Sequence, residues 1–421
     1  MAPVRLIVVG AGQRGSTYAR YALHHPDKLQ IVAVADPSDH ARSSLAAEHG
    51  IPSAHTYTDW RELAALPRFA DGVIIATQDT QHADPAVALA DLGYHLLLEK
   101  PMAPTPQECE RITAAAERNR IILGVCHVMR YTRYTRMLKQ ILDAGRIGEI
   151  VSLQHLEALG FWHQAHSFVR GNWRNERLSS PMLLAKSCHD IDWIRYIVNK
   201  PCTHVSSFGS LKHFRAEERP EGAADRCLEC AVELTCPYSA PRLYLGLVAD
   251  GHTGWPVSVL TPDVTVEGVT AALQTGPYGR CVYAMDNDVV DHQTVIMRFA
   301  GGVTADFTMT GLSRYRDRET HIFGTRGEIY GDGETIEVYD FLTRTTERIA
   351  TNVASDGSIL TGHGGGDHGM IESFVAALAA NDPSQIVSGP AETLESHLMV
   401  FAAEHARKTN TVVGLDDFKH Q

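Results

Sequence analysis

Hydrophobic positions along the first third of the chain fall in short, nearly continuous runs separated by helical patterns. VRLIVV at residues 4–9 leads through a glycine turn into a helical pattern, GQRGSTYARYAL, and LQIVAVADP follows as a second run. ADGVIIAT and YHLLLEKP repeat the theme, with the helical QDTQHADPAVALADLG between them. Such runs read as strands buried on both faces, and their alternation with helices predicts a parallel, doubly wound sheet. From GEIVSLQHLEALGFW onward the pattern changes to period two. HVSSFGSLKHF, DHQTVIMRFAGGVTADFTMTG, ETHIFGTRGEIYGDG and TIEVYDFL alternate and are bounded by glycines or charged turns. This predicts an antiparallel sheet. DHGMIESFVAALAAN and TLESHLMVFAAEHARKT close the chain as amphipathic helices. The expected fold is α/β, with residues 1–125 as a dinucleotide-binding domain and 126–421 as an α+β substrate domain built on an open, mostly antiparallel sheet.

At 421 residues the chain is long enough for roughly two or three domains. Its formal net charge of −12 disfavours non-specific binding to nucleic acid or to an anionic membrane. No apolar run approaches the ~18 residues of a membrane span. MAPVRLIVVGAG enters a strand with no charged leader, and the eight cysteines are scattered. A reducing, cytoplasmic setting is therefore expected.

Gly10, Gly12 and Gly15 make the G-x-G-x-x-G spacing after the first strand, with Gln13 and Arg14 inside the turn. The first glycine permits the tight turn, the second lets backbone approach a pyrophosphate, and the third allows close helix–strand packing. Asp36 ends the second strand 21 residues past Gly15, where a carboxylate accepts from ribose hydroxyls and repels a 2′-phosphate. NAD is therefore expected in preference to NADP. Thr77, His82, Glu99 and Lys100 stand at or just past strand ends, where ligands of such sheets bind.

VVGAGQRG, VADP, ATQDTQH, EKP and the later GRIGEI, in this order, resemble the glucose–fructose oxidoreductase and inositol dehydrogenase family, Gfo/Idh/MocA. The resemblance implies that Lys100 hydrogen-bonds the reacting hydroxyl and that Glu99 sits on the nicotinamide side. It also implies a second-domain sheet whose open face makes oligomer contacts, hence a homodimer or homotetramer, and late helices that pack back onto the first domain. In the family an Asp-x-Gly-x-His pattern joins this lysine around the reacting carbinol. Here the stretch is AKSCHDID, residues 185–192: the histidine is kept as His189, Ala185 replaces the aspartate, and Ser187 replaces the glycine. His189 is thus the candidate acid/base beside Lys100. Lys186 is expected to hold an anionic group, and Asp190 and Asp192 either serve the site or only favour a helix start.

HSFVRGNWRNERLSSP, just upstream, offers Arg170, Asn172, Trp173 and Arg174 as substrate-binding candidates, since sugar sites combine an aromatic face with planar hydrogen-bonding groups. With Lys186 these cations suggest an acidic sugar, such as a uronate, sulfonate or phosphate. CLECAVELTC spaces Cys227, Cys230 and Cys236 as partial ligands of a structural zinc. The return path of the preceding strand nominates Cys188 as the fourth, with free thiols as the rival. The expected activity is NAD-dependent hydride transfer at a ring carbon of a carbohydrate. An NAD-dependent glycoside hydrolase, working by oxidation, elimination, hydration and re-reduction, is the alternative, and a non-catalytic cofactor-sensing protein is a third reading.

Overall fold

A computed structural model describes residues 2–351 and 362–419. Six parallel strands form the first sheet: β1 (Val4–Val9), β2 (Leu29–Ala35), β3 (Thr56–Tyr57), β4 (Gly72–Ile75), β5 (His95–Leu98) and β6 (Leu123–Val125). Their order is β3-β2-β1-β4-β5-β6, so the direction of winding reverses beside β1. A crevice opens at such a reversal, beyond the carboxyl ends of the strands. At that edge Gly10 has φ +93°, and a Cβ there would stand 2.4 Å from the Ala76 carbonyl oxygen. Only glycine fits the turn.

The second sheet has nine strands: β7 (Ile150–Ala158), β8 (Cys202–Ser210), β9 (His292–Phe299), β10 (Thr304–Thr310), β11 (Glu319–Gly324), β12 (Gly327–Gly331), β13 (Thr335–Asp340), β14 (Thr345–Ala350) and β15 (Val413–Gly414). They run in the order β14-β13-β12-β11-β7-β10-β9-β8-β15, antiparallel throughout except for β10 beside β7. One face carries the helix Cys188–Val198 and the main apolar core, including Trp193, Val295, Phe307 and Ile322. The other face is open, and Phe208 and Ile296 are exposed on it. Four strands lie outside the hydrophobic runs: β3 and β15 are two residues long, β6 is three, and β14 is almost wholly exposed.

The late helices pack against the first domain. In Gly362–Ala380, Met370, Ile371, Phe374 and Val375 complete the core under β1 and β2 with Leu6, Val8 and Leu29. Pro390–Thr409 buries its length between β8 and the first-domain helix Pro106–Asn119. All strands of the first sheet lie before residue 126, yet its core is finished by residues near the end of the chain. Among the described residues, no helix is long and apolar enough to cross a membrane.

Candidate active site

A cleft of about 830 Å³ lies between the two sheets, over the carboxyl ends of β4 and β5. Gln13, Arg14, Thr77, Glu99, Lys100, Trp173, Lys186 and His189, which the sequence nominated, all line it.

The first domain supplies a groove for a dinucleotide. A Cβ built on Gly12 meets nothing within 4 Å, so the second glycine leaves open space where a phosphate group would approach. Gly15 is pressed against the turn, its Cβ position 2.0 Å from the Gly10 carbonyl oxygen. Asp36 is oriented by backbone donors: Ala11 N–H to Oδ2 and Ser38 N–H to Oδ1, both 2.7 Å. The nearest arginine, Arg42, is engaged by the Asp36 carbonyl oxygen and the Asp39 carboxylate, both at 2.7 Å. Deeper in, the Arg14 guanidinium bonds Glu99 at 2.6 Å and grips Asp367 with two nitrogens, and it also touches the Tyr18 hydroxyl. Tyr18 donates to the same Glu99 oxygen at 3.0 Å. Burial works against the charged form of Glu99, but Arg14 and then Lys100 outweigh it and hold the carboxyl below its usual range. Glycine cradle, oriented carboxylate and strand-end polar groups together fit NAD.

On the far wall, Lys100 Nζ donates to the Ala185 carbonyl oxygen at 2.7 Å. The position lacking the family's carboxylate thus meets the lysine with backbone. His189, on the first turn of its helix, faces the same space. Beside them lies a charge cluster. Lys186 Nζ is 3.2 Å from Glu157 Oε1, and Arg318 bridges Glu157 at 2.5 Å and Asp190 at 2.7 Å. His155 meets Asp190 at 3.1 Å and Thr320 at 2.7 Å. Burial draws Lys186 below its usual pKa, with Glu157 opposing, and burial raises Glu157 against the pull of Arg318. For Asp190 burial loses instead: Arg318, then His155, hold it well below the carboxylate range.

Behind this wall is a sealed seam between the domains. Asp192 accepts two 2.7 Å bonds from Arg130 and one of 2.8 Å from Ser396, and Arg130 also bonds the Val387 carbonyl oxygen. His127 and His397 pack edge to face there, 5.5 Å apart. Burial pulls His127 down to about 3 and His397 to about 4. Asp190 and Asp192 are therefore wholly buried ion-pair members and not solvated helix-start carboxylates.

Residues 4–127 match the model of the oxidoreductase family with an NAD-binding Rossmann fold, and residues 139–414 match its C-terminal alpha/beta domain. The chain belongs to the Gfo/Idh/MocA oxidoreductases. It is 24% identical over 352 residues to the oxidoreductase YteT of Bacillus subtilis (strain 168), covering 74% of this chain and 77% of YteT. It is 33% identical over 150 residues to the rhizopine catabolism protein MocA of Rhizobium meliloti, covering 36% of this chain and 45% of that protein. A levoglucosan dehydrogenase solved with NADH and levoglucosan superimposes with TM-score 0.70 at 19% identity, covering 98% of this chain and 99% of that one. That likeness shows a shared fold.

Several nominated residues sit elsewhere in this Gfo/Idh/MocA chain. His82 stands at the expected strand end, but its ring is buried and meets the carbonyl oxygens of Pro101 and Thr77 at 2.8 and 3.2 Å. It braces the Lys100 turn from behind. Arg170 is also buried, bonding the Arg280 and Tyr238 carbonyl oxygens at 2.8 Å each and the Cys227 sulfur at 3.5 Å. Arg174 is paired with Asp286 at 2.8 Å, and exposed Asn172 does not line the cleft. Of that group only Trp173 lines it.

The sequence reading missed Glu157, Arg318, Trp162, Trp255 and Tyr315, all on the cleft wall. Trp162 lies 5.5 Å from Trp255 and 6.1 Å from Tyr315, forming an aromatic rim. The W-W-Y set is spread over more than 150 residues, and no local pattern unites it.

The proposed cysteine set is corrected as well. Cys188 belongs to the main core of the second domain, whereas Cys227, Cys230 and Cys236 line a separate small cavity with Cys281. The loop closes on its own far end: Cys281 N–H donates to the Asp225 carbonyl oxygen at 2.8 Å, and Arg226 pairs with Arg280. All eight cysteines are free thiols, and among the described residues no three His, Cys, Asp or Glu side chains stand at metal-ligating spacing.

Proposed function

We propose that this oxidoreductase oxidises a ring hydroxyl of a carbohydrate with NAD. The observation that carries this reading is the meeting of Lys100, tethered at 2.7 Å to Ala185, with His189 in a cleft continuous with the glycine cradle. Bound NAD supplies a hydride acceptor, so that R₂CHOH and NAD⁺ become R₂C=O, NADH and a proton. An ammonium has three donors. One is spent on Ala185, which leaves Lys100 able to donate to the substrate oxygen and stabilise its developing negative charge. His189 takes the hydroxyl proton. Asp36 holds the adenosine ribose and selects NAD over NADP, and the rim of Trp162, Trp255, Tyr315 and Trp173 stacks on the sugar.

An acidic sugar would have to compete with Glu157 for Lys186. In the cluster Lys186, Arg318, Glu157 and Asp190, two cations meet two carboxylates, and this balance favours a neutral, hydroxyl-rich ring. The reading includes a homo-oligomer joined through the open sheet face, where Phe208 is 60% and Ile296 54% exposed. A sugar-library screen recording both NADH absorbance and chromogenic aglycone release tests the activity. Net NADH formation with neutral sugars, abolished in Lys100→Ala with NAD affinity kept, is expected. Aglycone release without net NADH would instead establish the glycoside-hydrolase alternative. A Lys100→Ala enzyme keeping most of its kcat would remove the lysine from the chemistry.

A further inference from the structure

We propose that Cys227, Cys230, Cys236 and Cys281 bind one structural zinc ion, which clasps the lobe of residues 211–291 between β8 and β9. Four of the chain's eight cysteines fall in this lobe, and all four line one small cavity together with Arg170. Cys227 opens a single 3-10 turn, Cys227–Glu229, which Cys230 follows, and Cys236 follows a second, Glu233–Thr235. Paired cysteines with two residues between them on a tight turn, completed by others from a distant segment, form a closed four-thiolate zinc site. The distant segment is already in place, since Cys281 N–H and the Arg226–Arg280 bridge tie it to the first knuckle. As free thiols the sulfurs are not drawn to ligating spacing. The four side chains share one small cavity, and binding would have to draw their sulfurs together.

Two independent observations call for the ion. The lobe has little core of its own: one cluster around Tyr244 and Leu273 contains Cys227, and a second around Phe214 and Tyr283 contains Cys281. Small, loop-rich units with so little buried apolar surface need a covalent or metal staple, and the cavity lined by the four cysteines takes one of them from each cluster. The second observation is the charge of Arg170. Its side chain is 1% exposed, and its partners among the described residues are two carbonyl oxygens, the Cys227 sulfur and the Tyr244 hydroxyl, none of them a carboxylate. A buried cation without an anion is costly. Binding converts four thiols and Zn²⁺ into a tetrathiolate of net charge −2 with release of four protons, and this supplies the missing counter-charge. Because Trp255 is carried on the same lobe and lines the cleft, the ion also steadies part of the sugar rim.

The test uses untagged full-length protein purified without chelator. Elemental analysis should find about one zinc per chain, released by a mercurial, kept in Cys188→Ser and lost in Cys281→Ser. Cobalt(II) exchanged into the unaltered protein should show intense sulfur-to-metal charge-transfer bands of a tetrahedral thiolate site. Folded, metal-free protein whose unfolding temperature is unmoved by added zinc would overturn the proposal. So would zinc retained in Cys281→Ser or lost in Cys188→Ser. If Cys281→Ser does not fold, the cobalt spectrum decides, and absence of thiolate bands counts against the site.

Discussion

Asp190 and Asp192 sit two residues apart on one helix, about 200° around its axis, and so face opposite regions of the molecule. Asp192 turns into the seam between the domains, where Arg130, Ser396 and two neutral imidazoles close around it. Asp190 turns toward the cleft, where Arg318 and His155 link it to Glu157 and Lys186. Both carboxylates are buried and both are paired with an arginine. Only the second network ends on a surface that a substrate can touch. A buried ion pair is therefore not in itself a mark of function; what matters is where its outer members stand.

The largest effect expected from this contrast is in the seam. Arg130→Ala leaves Asp192 as an uncompensated buried charge and should cost about 3–5 kcal/mol in stability, with kcat per folded molecule unchanged. Arg318→Ala should cost less, about 1–3 kcal/mol, because its removal opens Asp190 to cleft water, and it should raise KM for the sugar. Urea unfolding and steady-state kinetics on both variants make the comparison. Equal stability losses, or loss of kcat in Arg130→Ala, would erase the distinction.

Next in size is His189, which lies between the two carboxylates. His189→Ala should lower kcat about 10²-fold, an ordinary value for one acid/base group, without the stability loss of Arg130→Ala. A variant with near-normal kcat would leave the proton to another group.

Acid should strike the seam as well. His127 and His397 are neutral in the fold, with pKa values lowered to about 3 and about 4. Below about pH 6.5 the unfolded chain binds protons there that the fold refuses, so stability falls with pH. The contribution is complete above that value and drains away as pH drops toward the folded values. Between pH 7 and pH 5 each imidazole should cost about 2 kcal/mol. Unchanged urea midpoints would mean that water reaches the seam.

The smallest effect lies outside both networks. NAD should bind at least tenfold tighter than NADP, about 1.4 kcal/mol, and Asp36→Ala should narrow the gap. Equal affinities in the unaltered protein would remove Asp36 from cofactor selection.

What could be read from the sequence was local. The glycine turn, Asp36 and the strand-end Lys100 declare themselves because spacing and position along one βαβ unit define their surroundings. The period-two strands and late helices were legible for the same reason. The charge networks were not: Asp190 finds Arg318 128 residues away, and Arg14 finds Asp367 353 residues away. Arg170 and His82 show the converse limit. Each lies in a segment that borders the site, but the side chain's direction decides its role, and that direction is set by carbonyl groups no motif reveals.

The helix Gly362–Ala380, which finishes the core beneath β1 and β2, also bears on how the protein is made. When the ribosome has released the first sheet, the apolar side of Leu6, Val8 and Leu29 still awaits Met370 and Phe374. At about 5–20 residues per second, the intervening chain takes on the order of tens of seconds to emerge. Throughout that interval a nascent dinucleotide domain presents a bare hydrophobic face, and Arg14 lacks Asp367. Cofactor capture on the ribosome is thereby discouraged, a holding chaperone has a natural place to bind, and truncation before residue 380 should yield an aggregating fragment rather than a small NAD-binding protein.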